Sequence, residues 1–153
     1  MFDKLMEIEF IKEFVDKFKL NFITGDRWLW LVNGLKNTLL ITFFAVLIGI
    51  AIGVIIASIR STYDKNYTVL KRKGGIGYFI MSLLNGICKV YLTVIRGTPV
   101  VVQLLIMYFI IFVSSTNGTM VAIFAFGVNS GAYVAEIFRA GIMSIDHGQF
   151  EAG

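Results

Sequence analysis

Arg96, Gln103, Asn129, Glu136 and Arg139 are polar side chains set in or beside strongly apolar stretches, and they bound the chemistry open to this chain. Glu136 and Arg139 lie three residues apart, so a helix puts them on one face, where the spacing predicts an ion pair at a membrane boundary. Arg96 is a cation whose apolar stem can lie along hydrocarbon while its head stays in water, which predicts a structure-setting role. Gln103 and Asn129 are uncharged and suit hydrogen bonds between helices, and Asn129 is also a candidate for lining a pathway. None of these groups forms a nucleophile–base pair. His147 has no second ligand at metal spacing, and Gly74, Gly75 and Gly77 are not followed by the Gly-Lys-Ser/Thr of a phosphate loop. The chemistry on offer is ion pairing, hydrogen bonding and docking. The end of the chain, Gly148-Gln149-Phe150-Glu151-Ala152-Gly153, reads either as a solvated loop after a span or as a docking segment. There Gly148 permits a sharp turn, Gln149 and Glu151 offer hydrogen bonds, and Ala152 permits close approach.

These residues need elements to hold them, and composition says what kind. Hydrophobic residues make up 57% of the chain and charged residues 16%. Soluble domains carry roughly 45–50% and about 25%, so the chain reads as a membrane protein. The net charge of +4 does not point to nucleic acid, because the basic residues concentrate in one short stretch, which in a multi-spanning chain is an orientation signal. The single Cys88 cannot form an intrachain disulfide and reads as a packing thiol.

Leu5, Ile8, Ile11, Phe14 and Phe18 recur at helical spacing ahead of Trp28 and Trp30. They predict an amphipathic segment over 1–33, either an interfacial helix against the outer leaflet or a solvated leader. Acidic residues run through it, so it is not a signal peptide. Asn37 to Ile59 is free of charge for about 23 residues, roughly 35 Å as a helix, enough to cross a bilayer. Within it Ala45, Gly49, Gly53 and Ala57 form a strip of small residues, which permits close helix packing inside the subunit or against a second copy. The basic stretch Arg60 to Lys73 follows and predicts a cytoplasmic loop, with the N-terminus outside.

Tyr78 to Ile95 has one apolar and one polar face, and Lys89 at bilayer centre costs about 2.5–3.5 kcal/mol. That predicts a helix along the cytoplasmic side, or a tilted one packed on protein. Thr98-Pro99 predicts a new helix start with Thr98 as its cap, or a kink in one long helix. Val100 to Val113, the uncharged turn Ser114 to Gly118, and Thr119 to Ala135 predict a hairpin of short limbs, about 14 and 17 residues or roughly 21 and 26 Å long. Its two ends bring Arg96 to the same side as Glu136 and Arg139. The fold class is all-α and polytopic, with three spans.

Several residue sets, in this order, resemble one family. They are Gly34-Leu35-x-Asn37-Thr38, Arg60-Ser61-x-Tyr63, and Tyr91 with Arg96-Gly97-Thr98-Pro99 and Gln103. Tyr133, Glu136, Arg139, Gly141 and Ile142 with Gly148-Gln149-x-Glu151-Ala152 complete the series. Residues 34–153 look like the permease subunit of ABC importers for polar amino acids, whose "EAA" segment docks into a cytoplasmic ATPase. Gly153 stands where that motif has a second Ala, and the chain stops inside the motif, as a truncated sequence would. The resemblance implies a type I ABC importer domain of about five spans, of which three are present here. It also implies a second permease subunit, cytoplasmic ABC ATPases that hold ATP-Mg, and an extracytoplasmic amino acid-binding protein. The chain itself would bind no cofactor or nucleic acid and catalyse no reaction. Residues 60–77 and 136–153 would face the cytoplasm of a bacterial inner membrane. The competing reading is a small ATPase-independent channel or a structural membrane protein.

Overall fold

A computed structural model describes residues 2–145. It is helical, with no strand among the described residues. The helices are α1 (Phe2–Phe18), α2 (Trp28–Lys73), α3 (Gly75–Gly97), α4 (Val100–Ile106) and α5 (Gly118–Met143), with π-helical turns at Lys19–Ile23 and Met107–Ile111. Among the described residues three helical stretches are long and apolar enough to cross a membrane: Glu9–Arg72, which takes in part of α1 and most of α2, together with α3 and α5. The chain falls into two compact units, Met1–Leu40 and Ile41–Gly153.

The second unit is built around the small-residue strip of α2. A Cβ on Gly49 would lie 2.8 Å from Ser130 Cβ, and one on Gly53 would lie 2.5 Å from Val134 Cγ1, so α5 sits directly on the strip. Ala45 and Ala57 on the same stripe are buried. The fit is reciprocal, because Ile48 and Ile52 of α2 fill the space over Gly127 and Gly131 of α5. Positions rise together along both helices, so α2 and α5 run in the same direction. In lipid no hydrophobic effect drives helices together, and close backbone approach with dispersion contact does that work instead. The strip is therefore spent on packing within the subunit. α3 closes the third side, where Cys88 and Leu92 join Ile56, Ala132 and Ala135 in the core.

This packing makes a sharp prediction. Gly53→Ala should lower stability by about 1–3 kcal/mol, since the added Cβ also lies 2.9 Å from the backbone nitrogen of Ala135 and the helices must part. Gly86→Ala, with nothing within 4 Å of its Cβ position, should be neutral or slightly stabilising. Thermal unfolding in detergent separates the two outcomes.

Several expectations need correction. The basic stretch Arg60 to Lys73 is not a loop but the last part of α2. Lys and Arg are good helix formers, and no Gly or Pro intervenes before Gly74. The helix ends where Gly74 and Gly75 take φ of 61° and 78°, a left-handed conformation open to glycine. The segment 78–95 is helical throughout and lies within the span-length helix α3. On its polar face Asn85 is buried against protein, whereas Lys89 and Thr93 stay exposed. Conversely, Val100 to Val113 is no full limb. Helix α4 gives way to a π-helical turn that ends at Ile111.

Candidate functional site

The break between α3 and α4 is the first place where the polar residues act. Pro99 has no N–H and pushes Thr98 out of helical conformation, and Thr98 adopts φ −116°, ψ 144°. Two helices form here, not one kinked helix. Thr98 does not cap α4. Its hydroxyl donates back to the Val94 carbonyl at 2.8 Å, and Pro99 occupies the cap position. Gln103 holds the break together. Its amide Nε2 donates to the Ile95 carbonyl at 2.6 Å and to the Thr98 carbonyl and hydroxyl at 3.0 and 2.7 Å. Its Oε1 accepts from Asn129 Nδ2 on α5 at 3.0 Å. One side chain thus satisfies carbonyls that the broken helix leaves open and ties them to the neighbouring helix. Tyr91 adds a second tie, its hydroxyl donating to the Val128 carbonyl of α5. Gln103→Leu keeps the bulk and removes the network, and should cost about 1–2 kcal/mol by leaving carbonyls and Asn129 unpaired. Asn129→Ala should cost less, because the carbonyls at the break keep their Gln103 partner.

Further along α5, Glu136 and Arg139 do not pair with each other. Glu136 pairs with Arg96 at the end of α3, and Arg139 pairs with Asp64 of α2. Three residues of helix do bring Glu136 and Arg139 near one side, yet each finds a better-placed partner on a flanking helix. The Arg96 guanidinium also lies 5.8 Å from the centre of the Tyr133 ring, within cation–π range. Arg139 reaches Asp64 Oδ2 with Nη2 at 2.6 Å and Nε at 3.1 Å. The Arg96–Glu136 contact brings the end of α3 against α5, although the first limb between them is not the full helix that was expected.

Asp64 is the residue that sequence reasoning missed. The lone acidic residue between Arg60 and Lys65 was the available signal, since a carboxylate among cations on a membrane helix marks a partner elsewhere. Asn117 was also unassigned, and it caps α5 by accepting from the Met120 N–H at 3.1 Å. Gly97 and Gly141 have nothing within 4 Å of a Cβ position, so close packing requires neither glycine. The docking residues Gly148, Gln149, Glu151, Ala152 and Gly153, and His147 with them, lie outside the described residues. The described helix that leads to them closes at Ser144, whose N–H bonds the Ala140 and Gly141 carbonyls.

An apolar groove of about 740 Å³ runs along α3, lined by Phe79, Leu83, Ile87, Val90 and Val94 among others. It lacks the convergent polar groups of a solute site and suits hydrocarbon. Among the described residues no group of His, Cys, Asp and Glu could hold a metal ion.

The fold and this site define a class: a multi-pass helical membrane protein whose last described helix is clamped by ion pairs on both flanks. The sequence pattern of the family described as binding-protein-dependent transport system inner membrane component matches residues 74–153, just over half of the chain, and the chain belongs to that family. It is 34% identical over 127 residues to the putative glutamine transport system permease protein GlnP of Rickettsia prowazekii (strain Madrid E), covering 81% of this chain and 50% of the relative. Against the arginine transport system permease protein ArtQ of Bacillus subtilis (strain 168) it is 35% identical over 127 residues, covering 80% and 50%. Among solved structures, "Crystal structure of an amino acid ABC transporter with histidines" superposes with a TM-score of 0.56 at 34% identity, over 81% of this chain and 54% of that one. The chain spans about half the length of the curated relatives it matches.

Proposed function

We propose that the protein is the membrane-spanning permease subunit of an ATP-driven amino acid importer. In this reading α2, α3 and α5 form part of the translocation domain, and the segment 141–153 is its handle for a cytoplasmic ABC ATPase. The observation that carries the proposal is α5 itself. It is seated on α2 without a gap, tied to α3 and α2 by Arg96–Glu136 and Asp64–Arg139, and in sequence its last turn precedes the docking residues. A force applied to that end reaches the membrane helices without slack. The relatives' transport names support an amino acid as cargo.

The remaining parts follow from the same reading. A second permease subunit completes the pathway, an extracytoplasmic binding protein delivers the amino acid, and ATP-Mg is held by the ATPase and not by this chain. The basic end of α2 and the residues from 136 onward face the cytoplasm of a bacterial inner membrane, with the N-terminus outside. A channel working without an ATPase would have no use for such a handle. Reconstitution tests the choice: the full-length protein, with its ATPase and binding protein in liposomes, should accumulate an amino acid only when ATP is supplied. Equal uptake without the ATPase would favour the channel and overturn the proposal.

A further inference from the structure

The first unit holds a helix face that transport does not explain. At 100° per residue, Phe10, Ile11, Phe14, Val15 and Phe18 fall in one arc of about 140° on α1, and Glu9, Lys12, Glu13, Asp16 and Lys17 fall in the opposite arc of about 140°. The separation is complete from residue 9 to the end of the helix. The apolar arc is uncovered: Phe10, Ile11 and Phe14 are 70%, 58% and 61% exposed. It continues past the helix end, because the rings of Phe14, Phe18 and Phe22 form a ladder with centroids 6.5 and 4.7 Å apart. Gly25 at φ 67° and Asp26 at φ 53° then turn the chain through left-handed conformations before Trp28 opens α2. A straight helical continuation from α1 into α2 is thereby broken.

From this geometry we infer that α1 lies in the plane of the bilayer as an interfacial anchor, with Phe10 and the Phe14–Phe18–Phe22 ladder among the lipid chains. The occupant of the face is lipid because α1 is tethered to it. Ten residues after Phe18 the chain enters a span-length helix, so the face is held at high effective concentration beside hydrocarbon. Trp28 and Trp30, 49% and 78% exposed, mark the depth of the boundary at which this occurs. The polar arc carries three carboxylates against two lysines, and Glu13 and Lys17 pair with each other at 2.7 Å. Attraction to anionic headgroups therefore contributes nothing, and burial of the aromatic face is the driving force. The leaflet is the one at the N-terminal end of α2.

The test uses the full chain in phosphatidylcholine nanodiscs, with single cysteines introduced by Phe10→Cys, Phe14→Cys and Phe18→Cys or by Glu9→Cys, Glu13→Cys and Asp16→Cys. Each is labelled with an environment-sensitive fluorophore, and unmutated chain reports background labelling of the buried Cys88. A nitroxide-bearing lipid should quench the first set roughly twofold or more beyond the second, and aqueous iodide should do the reverse. The same pattern should persist when a third of the lipid is made anionic. Iodide quenching at all positions would show a solvated leader and overturn the inference. Protection of the phenylalanine positions from both quenchers would show a protein partner on this face and overturn it equally. A pattern that appears only with anionic lipid would refute the driving force assigned here.

Discussion

Glu151→Arg in the full-length protein is expected to detach the ATPase and abolish ATP-driven uptake while membrane insertion stays unchanged. On the proposed reading Glu151 stands in the handle between Gln149 and the small pair Ala152-Gly153, where close approach leaves little water. A carboxylate that meets donors in a desolvated contact loses about 2–5 kcal/mol when removed, and reversal adds like-charge repulsion. That corresponds to a loss of affinity of roughly 10²-fold or more. Glu13→Arg is the matched control, since Glu13 sits on α1, exposed and paired with Lys17 one turn along the same helix. It should leave ATPase binding untouched. Affinity pull-down of the ATPase, run beside an uptake assay, reads both variants. An unchanged yield of ATPase with normal uptake for Glu151→Arg would remove the role given to this segment. Loss of the protein from the membrane would instead point to a folding role.

How much of this was legible beforehand differs from residue to residue. The strip Ala45, Gly49, Gly53, Ala57 announced a close helix contact, because small residues at every fourth position have no other common use in a span. The partner was not legible, since nothing in the strip's own spacing names Gly127 and Gly131. Gln103 and Asn129 were each readable as groups that bond between helices, because uncharged amides in apolar stretches must find partners, but not as partners of each other. The basic stretch after Ile59 was misread because charge was taken as a sign of loop. Charge marks water, not backbone conformation, and a helix of Lys and Arg continues into water freely until glycine stops it. The segment around Lys89 was legible as a helix with one polar face, and the structure makes it part of α3 with Asn85 buried and Lys89 exposed.

The ion pairs were the least legible part, for a geometric reason. Local spacing favours Glu136 with Arg139, and an exposed pair of that kind contributes only about 0.2–0.5 kcal/mol. The tertiary alternatives are 40 and 75 residues away in sequence, and only the packing of α3 and α2 against α5 reveals them. Once three helices meet at one end, each charge has a choice, and the partner on a flanking helix wins. It fixes the helix as well as the charge, and it lies in a less watery setting.

Arg139→Glu should therefore be among the most damaging single changes in the described chain. The Arg139 and Asp64 side chains are 31% and 27% exposed, against 43% and 45% for Arg96 and Glu136, so the former pair is the better shielded from solvent. Breaking a fully buried pair costs about 3–5 kcal/mol, and partial exposure places this one near the lower end, at roughly 3 kcal/mol. Reversal adds repulsion between two carboxylates at one helix crossing. For a chain of this size that should lower the unfolding midpoint in detergent by about 6–12 °C. Arg96→Gln, at the more exposed pair, should lower it by less. The decisive measurement is the swap: Asp64→Arg combined with Arg139→Glu should recover much of the loss, because the same two helix positions again carry opposite charges. Losses that simply add in the double variant would mean that the two residues act independently and that the contact between α2 and α5 is held by the glycine strip alone. If the swap restores folding but not ATP-driven uptake, the pair also has a part in passing motion from the handle to the spans. A structural tie alone would bring both back together.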